Sequence, residues 1–521
     1  MAGNVYRSPF PDVDIPEVSL AEFVLEGATA RADKQALIDG ASGRTITYGQ
    51  LAAGVRRAAA GLSRRGFAKG DVLAIFSPNL PEYAIAFHAV ASLGGANTTI
   101  NPLYTVGELR GQLVDSGAKY LLTIPQLLER AKEAARDTSV REMFVFGDAP
   151  GAVPFAALLE GAGGPPQPRI DPTNDVVALP YSSGTTGFPK GVMLTHRNLV
   201  ANVCQVEVAA PTAEDTIDIG VLPFYHIYGL TVLLNSVLRG GGQLVTMARF
   251  DLEEFLGLIQ RYRVTRAYLV PPIVLALAKH PAVANYDLSS LQAITSGAAP
   301  MSAELTEACR QRLGCSVVQG YGMTELSPVS HLSPRDRARP GSAGLLAPNT
   351  QCKVCDLNTG EALPPNQPGE LCVRGPQVMK GYLNNPEATA QIIGQDGWLH
   401  TGDIAQVDED GYLFVVDRLK ELIKYKGYQV PPAELEAVLL THPSVADAAV
   451  IGSPDEEAGE VPKAFIVPRG DVSAEDIIGY VEDRVAPYKR IRLLEFVEQI
   501  PKSSSGKILR RELIERERGS R

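Results

Sequence analysis

Between Tyr181 and Gly191 the chain reads YSSGTTGFPKG. Gly184, Gly187 and Gly191 let a backbone turn tightly and approach a ligand closely. Successive N–H groups in such a turn form a concave anion site. Ser182, Ser183, Thr185 and Thr186 add hydroxyl donors, and Lys190 adds a mobile positive charge. These residue types suit phosphates. The spacing is not that of a Walker loop, whose lysine stands directly after a glycine and before a hydroxyl residue. Here Pro189 precedes Lys190 and Gly191 follows it. A loop that closes over a pyrophosphate fits the composition. The plainer alternative is a surface Ser/Gly linker. The strand-like VVALPY before the stretch and the helix-like THRNLV after it weigh against that alternative.

Further candidates are spread along the chain. Glu325 closes QGYGMTE, Asp403 closes GWLHTGD, Lys424 and Lys426 lie in VVDRLKELIKYKGYQV, and Lys507 closes PKSSSGK. Each also has an ordinary reading. Glu325, after Gly322 and Thr324, suits a helix start. Asp403 suits a turn before a strand, and Arg418 a surface partner for Asp417. The lysines suit a solvated face.

The elements that must position these groups are predominantly alternating. DVLAIFS (71–77) predicts a buried strand, and Pro81 predicts the first turn of a helix reaching about Leu93. NTTIN, a helix through VGELRGQLVDSG, the strand AKYLLT, the strand RVTRAYLV ending at Pro271-Pro272, and the strand LQAITSGAAP continue the theme. Alternation of this kind predicts an α/β fold with largely parallel sheets. Near Gly341 the character changes: QCKVCD, GELCVRG and GYLFVVDR predict short strands of a small β subdomain. From Arg418 onward a lysine-rich strand-turn, the helix PAELEAVLLTH, the strand VADAAVIGS and a basic tail predict a separate small α+β domain. GAGGPPQP (161–168) is the one obvious flexible linker.

The 521 residues are too many for one compact core, so two or more domains are expected. A net charge of −10 argues against a nucleic-acid-binding surface spread over the protein. No apolar stretch is long enough to cross a bilayer. The opening MAGNVYRSPFPDVDIP does not read as a signal peptide, and the closing RGSR does not read as a peroxisomal address. Cys204, Cys309, Cys315, Cys352, Cys355 and Cys372 are too few for a disulfide framework. Reduced thiols in a cytoplasm are expected. Cys352 and Cys355 form a C-x-x-C but would point to opposite faces of a strand, with only Cys372 nearby, so they read as small core or surface residues. His88, His196 and His400 are assigned no chemistry.

Taken in order, YSSGTTGFPKG, FYHIYGL, QGYGMTE, GWLHTGD, VVDRLKELIKYKGYQV and PKSSSGK span nearly the whole chain. They resemble the adenylate-forming superfamily of acyl-CoA synthetases, peptide-synthetase adenylation domains and beetle luciferases. YSSGTTGFPKGVMLTHRNLV, GYGMTELSP and ELIKYKGYQVPPAELE are most similar to the 4-coumarate:CoA ligase group. The resemblance implies a large N-terminal core (1–417) that binds ATP and an acid. It also implies a mobile C-terminal domain (418–521) with its hinge near Lys420. A small-molecule carboxylic acid would attack the α-phosphate of ATP, release pyrophosphate and become acyl-AMP, and coenzyme A would then take the acyl group and release AMP.

By the same resemblance Ser182, Ser183, Gly184, Thr185, Thr186 and Lys190 grip the β- and γ-phosphates. Thr324 lies beside the α-phosphate and Glu325 is a Mg²⁺ ligand, a role that suits a hard oxygen donor. Asp403 accepts the ribose hydroxyls, and Arg418 binds the ribose or the phosphate. Gln319, Gly320 and Tyr321 line the adenine and the acyl group, with Ala298 in the adenine-side turn. Lys507 bridges the carboxylate and the α-phosphate in the first step. This lysine is an acetylation site in the family, which implies a lysine acetyltransferase and deacetylase as partners. Loss of its charge would switch off adenylation. In the second step Lys424 and Gln429 come near the adenylate. Lys426 and Gly427 line the pantetheine route, and Arg249 meets the nucleotide end of CoA, where relatives often carry Lys. His226 and Tyr228 gate or line the acyl pocket, which Gly297, Gly320, Met323, Pro328 and Val329 complete. His226 reads as a gate rather than a general base, because a carboxylate needs no deprotonation. The glycines leave room for a planar ring, and Val329 after Pro328 leaves little space for doubly methoxylated rings.

Three competing functions stay open on the sequence. One is a medium- or long-chain fatty acyl-CoA synthetase. Another is a stand-alone adenylation enzyme that loads a separate carrier protein. A non-enzymatic nucleotide-binding scaffold would be expected to have lost Lys507 or Glu325, and both remain.

Overall fold

A computed structural model describes residues 4–161, 163–182, 189–426, 428–455, 457–503 and 506–519. The α/β expectation holds. One nine-stranded sheet centres on Val72–Phe76, which pairs in parallel with Ala96–Ile100 on one side and Tyr120–Thr123 on the other. Both faces of these strands are covered, which is why they read as unbroken apolar runs rather than alternating ones. Asp71 stays outside the strand, ion-paired to Lys119. The helix Pro81–Ser92 starts on its proline and is buried along most of its length. The helix Val106–Ser116 starts on a capping box between Thr105 and Glu108 and stops at Gly117 in the left-handed conformation.

At its far edge this sheet carries the hairpin Tyr181–Ser182 with Lys190–Thr195. Gly381–Tyr382 adds to the outside of Lys190–Thr195, a pairing the sequence did not predict.

The second nine-stranded sheet runs in parallel through Gln35–Asp39, Gln243–Thr246, Ile217–Gly220, Arg266–Leu269, Ala293–Ser296 and Ser316–Gly322. Val329–Leu332 and Leu345–Leu346 close that side as antiparallel strands. Within it Arg266 and Asp218 form a fully buried pair at 2.8 Å. Arg266 also donates to the carbonyls of Ala210 and Pro211. One continuous apolar core joins this sheet to the first.

The predicted β subdomain is a five-stranded antiparallel sheet ordered Tyr6–Arg7, Gln351–Cys355, Gly369–Arg374, Leu399–Val407 and Leu413–Arg418. The small C-terminal domain has its own sheet, built on the long pair Val445–Asp455 and Gly459–Pro468. The helices Pro432–Thr441 and Ala474–Glu482 pack on it, and Ile423, Leu435, Leu439, Val450 and Ile466 belong to a core separate from those of the large domain. The lysine-rich strand-turn is the hairpin Ile423–Tyr425 with Tyr428–Val430, which buries Ile423 and Val430 and exposes Lys424, Lys426, Tyr428 and Gln429. Among the described residues no helix is long and apolar enough to cross a membrane.

Candidate active site

Ser182 and Lys190 are direct partners across the hairpin from which the glycine-rich loop springs. Tyr181 anchors that hairpin by donating to Asp115 at 2.6 Å. Ser183, Gly184, Thr185 and Thr186 lie outside the described residues. Lys190 places its Nζ 5.0 Å over the ring of Tyr382, an arrangement that holds a cation without neutralising it.

Glu325 belongs to the short turn Thr324–Leu326, which leaves the end of Ser316–Gly322. Its side chain reaches across to the first sheet. Oε1 accepts from Ser182 Oγ at 3.0 Å and from the Tyr382 hydroxyl at 2.8 Å. The carboxylate is buried, and no ion pair involves it among the described residues. Among the described residues its hydrogen-bond partners are neutral hydroxyls, with the Lys507 ammonium near enough to feel it, and a buried carboxylate so placed favours a further cation. An all-oxygen donor set of this kind fits magnesium. Thr324 lies partly buried beside Glu325.

Asp403 and Arg418 are direct partners on the strands Leu399–Val407 and Leu413–Arg418. Arg418 Nε lies 3.5 Å from Asp403 Oδ1, and the Tyr321 hydroxyl donates to Oδ2 at 2.6 Å. Burial raises the Asp403 pKa, while Arg418, Tyr321 and Lys507 work against that rise. Arg418 is thus engaged by side chain with Asp403 and Glu421, whereas Asp417 accepts its backbone N–H at 2.7 Å.

Lys507 comes from the small domain. Its backbone N–H donates to Ser503 Oγ at 3.1 Å, closing a tight turn in which Gly506 has φ +76. Gly506 faces Val270 and Pro272 of the large domain. Burial lowers the Lys507 pKa to about 8, with Arg418 adding to the drop and Asp403, Glu325 and Glu421 opposing it. The ammonium therefore sits in the field of all three carboxylates. His226 feels it too. Burial and the Lys507 charge take its imidazole down to about 3, so the ring is neutral at neutral pH.

His226 accepts from Tyr228 N on Nδ1 at 3.2 Å, which leaves the ring proton on Nε2. Tyr228 opens the π-helix Tyr228–Asn235, a rare form found mainly at functional sites. Gly229 permits it, because a Cβ there would stand 2.2 Å from the Pro223 carbonyl oxygen. The Tyr228 hydroxyl donates to the Thr295 carbonyl at 3.2 Å, and its ring lies 3.2 Å from the Cβ position of Gly297. Ala298 follows in the left-handed region at φ 72, a strained backbone for a residue with a side chain. Gln319 spends its amide on the Met301 backbone, at 3.2 and 3.0 Å. Gly320 and Met323 are partly buried, and Pro328 and Val329 are buried. Met323 N donates to the Pro328 carbonyl at 2.9 Å, and Asn202 clamps the Val329 backbone on both sides.

The residues assigned to the thiol step stand apart from this cluster. Lys424 and Gln429 are cross-strand partners on the exposed hairpin, and Lys426 is ion-paired to Glu457. Gly427 lies outside the described residues. Arg249 is exposed after the strand Gln243–Thr246, and Lys420 is exposed just past Arg418. Two contributors escaped sequence reading. Tyr382 sits in KGYLNN, where nothing marks it, and Arg510 joins Glu421 to Glu436 from the last helix.

A buried carboxylate bonded across the two α/β sheets, a carboxylate–arginine pair on the antiparallel sheet and a buried lysine from the small domain suit an enzyme that works on a nucleotide. The chain belongs to the AMP-binding enzyme family: that family matches residues 25–383, and the AMP-binding enzyme C-terminal domain matches residues 434–507. It is 47% identical over 523 residues to 4-coumarate–CoA ligase 5 of Oryza sativa subsp. japonica, covering 98% of this chain and 96% of that protein. Among solved structures, an anthranilate CoA ligase in complex with anthranoyl-AMP superposes with TM-score 0.91 at 26% identity, covering 98% of each chain. ATP-bound MatB from Rhodopseudomonas palustris superposes with TM-score 0.88 at 28% identity, covering 96% of this chain and 99% of that one.

Proposed function

We propose that this protein is an ATP-dependent acid–CoA ligase whose acid is a 4-coumarate- or cinnamate-type aromatic. The observation that carries the reading is the seat of Lys507: the glycine before it faces Val270 and Pro272 of the large domain, and its buried ammonium feels the charges of Arg418, Asp403, Glu325 and Glu421. A carboxylate is a poor acyl donor because its leaving group would be oxide. Transfer of AMP to it makes a mixed anhydride with a good leaving group. The chain's part in that step is positive charge and position. Lys507 bridges the attacking carboxylate and the α-phosphate, Lys190 and the loop hydroxyls hold the departing pyrophosphate, and Asp403 fixes the ribose. Glu325, with Thr324 beside it, would hold the magnesium ion, which neutralises phosphate charge when bound.

The acid lies along Tyr228, Gly297 and Val329. Neutral His226 donates from Nε2 or swings aside as a gate. The domain boundary falls at 417/418. The small domain then turns about Lys420, withdrawing Lys507 and bringing Lys424, Lys426, Gly427 and Gln429 to the adenylate for attack by the CoA thiol. Arg249 takes the nucleotide end of CoA. The exposure of that hairpin while Lys507 is inserted supports two arrangements rather than one. The test is turnover with ATP, Mg²⁺ and CoA across cinnamic, coumaric, benzoic and fatty acids, reading AMP and acyl-CoA. Coumarate or cinnamate should lead. Preference for octanoate over every aromatic acid would overturn the aromatic assignment.

A further inference from the structure

Away from the nucleotide cleft, three unlike donors converge on one face of the small β sheet. Cys372 and His400 are direct partners on the adjacent strands Gly369–Arg374 and Leu399–Val407. Cys372 Sγ lies 3.4 Å from His400 Nδ1, and that nitrogen lies 2.9 Å from Glu370 Oε2. The sulfur, nitrogen and oxygen atoms all fall within 4.8 Å of one another. A second sulfur, Cys355 Sγ, stands 3.6 Å from that of Cys372 on the neighbouring strand. Tetrahedral zinc with its usual bond lengths sets sulfur–sulfur and sulfur–nitrogen edges at about 3.7 and 3.5 Å.

We propose that Glu370, Cys372 and His400 form a binding site for a thiophilic divalent cation of the zinc type. One thiolate, one imidazole and one carboxylate form a zinc donor set, whereas magnesium and calcium take oxygen. Both cysteines are buried against Trp398, which keeps bulk water from the sulfurs, and the half-exposed His400 gives the ion a way in. Cys355 lies where it can close the fourth position, its Sγ on the strand next to that of Cys372. The site is already braced. Glu370 Oε1 accepts from Gly402 N at 3.2 Å, so the oxygen facing His400 is fixed from behind. An ion there would tie down the strand that carries Asp403, three residues past His400.

The test is a titration of the full-length, ATP-free protein with Co²⁺ under a phosphine reductant. One equivalent should bind, with a thiolate-to-cobalt charge-transfer band and the intense visible bands of a four-coordinate ion, and Zn²⁺ should erase both. Oxygen sites, including Glu325, give no such charge-transfer band. Cys372→Ser should weaken it, Cys355→Ser with Cys372→Ser should abolish it, His400→Gln should weaken binding at least ~10-fold, and Cys204→Ser should change nothing. Absence of the band in the unaltered protein, or its survival in the double variant, would overturn the site. The His400→Gln arm carries the same weight should the double variant fail to fold: unchanged affinity in His400→Gln refutes the proposal.

Discussion

Gly506 meets Pro272 across the domain junction: a Cβ on Gly506 would stand 3.2 Å from Pro272 Cδ. The same glycine holds φ +76. Two constraints thus fall on the residue that precedes Lys507, one of backbone conformation and one of space. A left-handed residue with a side chain costs roughly 1–2 kcal/mol, and the contact adds to it. Gly506→Val should slow acid-dependent ATP–pyrophosphate exchange at least ~10-fold, as a barrier rise of about 1.4 kcal/mol gives. Thioester formation from a supplied acyl-adenylate should change less than twofold. Exchange at the unaltered rate would show that the turn need not seat against the large domain.

The lowered pKa of Lys507 gives adenylation a pH signature. Its ammonium is present below about pH 8 and is lost as pH rises through that value. Exchange rate should therefore fall on the alkaline side with a midpoint near 8, well below that of a free lysine. Lys507→Arg stays charged, because a guanidinium does not titrate in this range. It should be slower and lack the alkaline fall. Retention of the same midpoint in Lys507→Arg would assign the titration to another group.

Lys426 is exposed on the hairpin, paired to Glu457 at the surface. If the hairpin serves only the second arrangement, Lys426→Glu should raise the KM for CoA roughly 10-fold, a loss of about 1.4 kcal/mol. Pyrophosphate exchange should not change. Equal loss in both half-reactions would place the hairpin's role in folding or in the first step.

Much of this was legible because the chemistry sits in contiguous stretches. The phosphate loop, the QGYGMTE and HTGD turns and the PKSSSGK tail each declare their residue types over a few positions. What stayed hidden depends on pairing between distant strands. Tyr382 reaches Glu325 because Gly381–Tyr382 adds to the edge of Lys190–Thr195. Cys352 and Cys355 do lie in separate apolar clusters, as strand alternation predicts, but the sulfur that matters to Cys355 belongs to Cys372 on the next strand. The π-helix at Tyr228 was equally out of reach, because its apolar residues carry no periodicity distinct from that of a buried α-helix.

The Arg266–Asp218 pair makes a separate prediction about stability. With side chains 2% and 0% exposed, neither charge can turn to water if its partner is removed. Arg266→Ala should cost about 3–5 kcal/mol, read as a fall in the urea midpoint with little change in slope. A cost below about 1 kcal/mol would mean that Asp218 takes up a proton or a new partner at little expense.

The central claim is that one lysine from the small domain serves the first half-reaction alone. The direct measurement is Lys507→Ala assayed in both halves: acid-dependent pyrophosphate exchange, and acyl-CoA formation from synthetic coumaroyl-AMP. Exchange should fall by ~100-fold or more, in line with the loss of a group that stabilises charge in the transition state, while thioester formation from the adenylate stays within a few-fold of the unaltered enzyme. Equal loss in both halves, or exchange that survives without Lys507, would contradict the account.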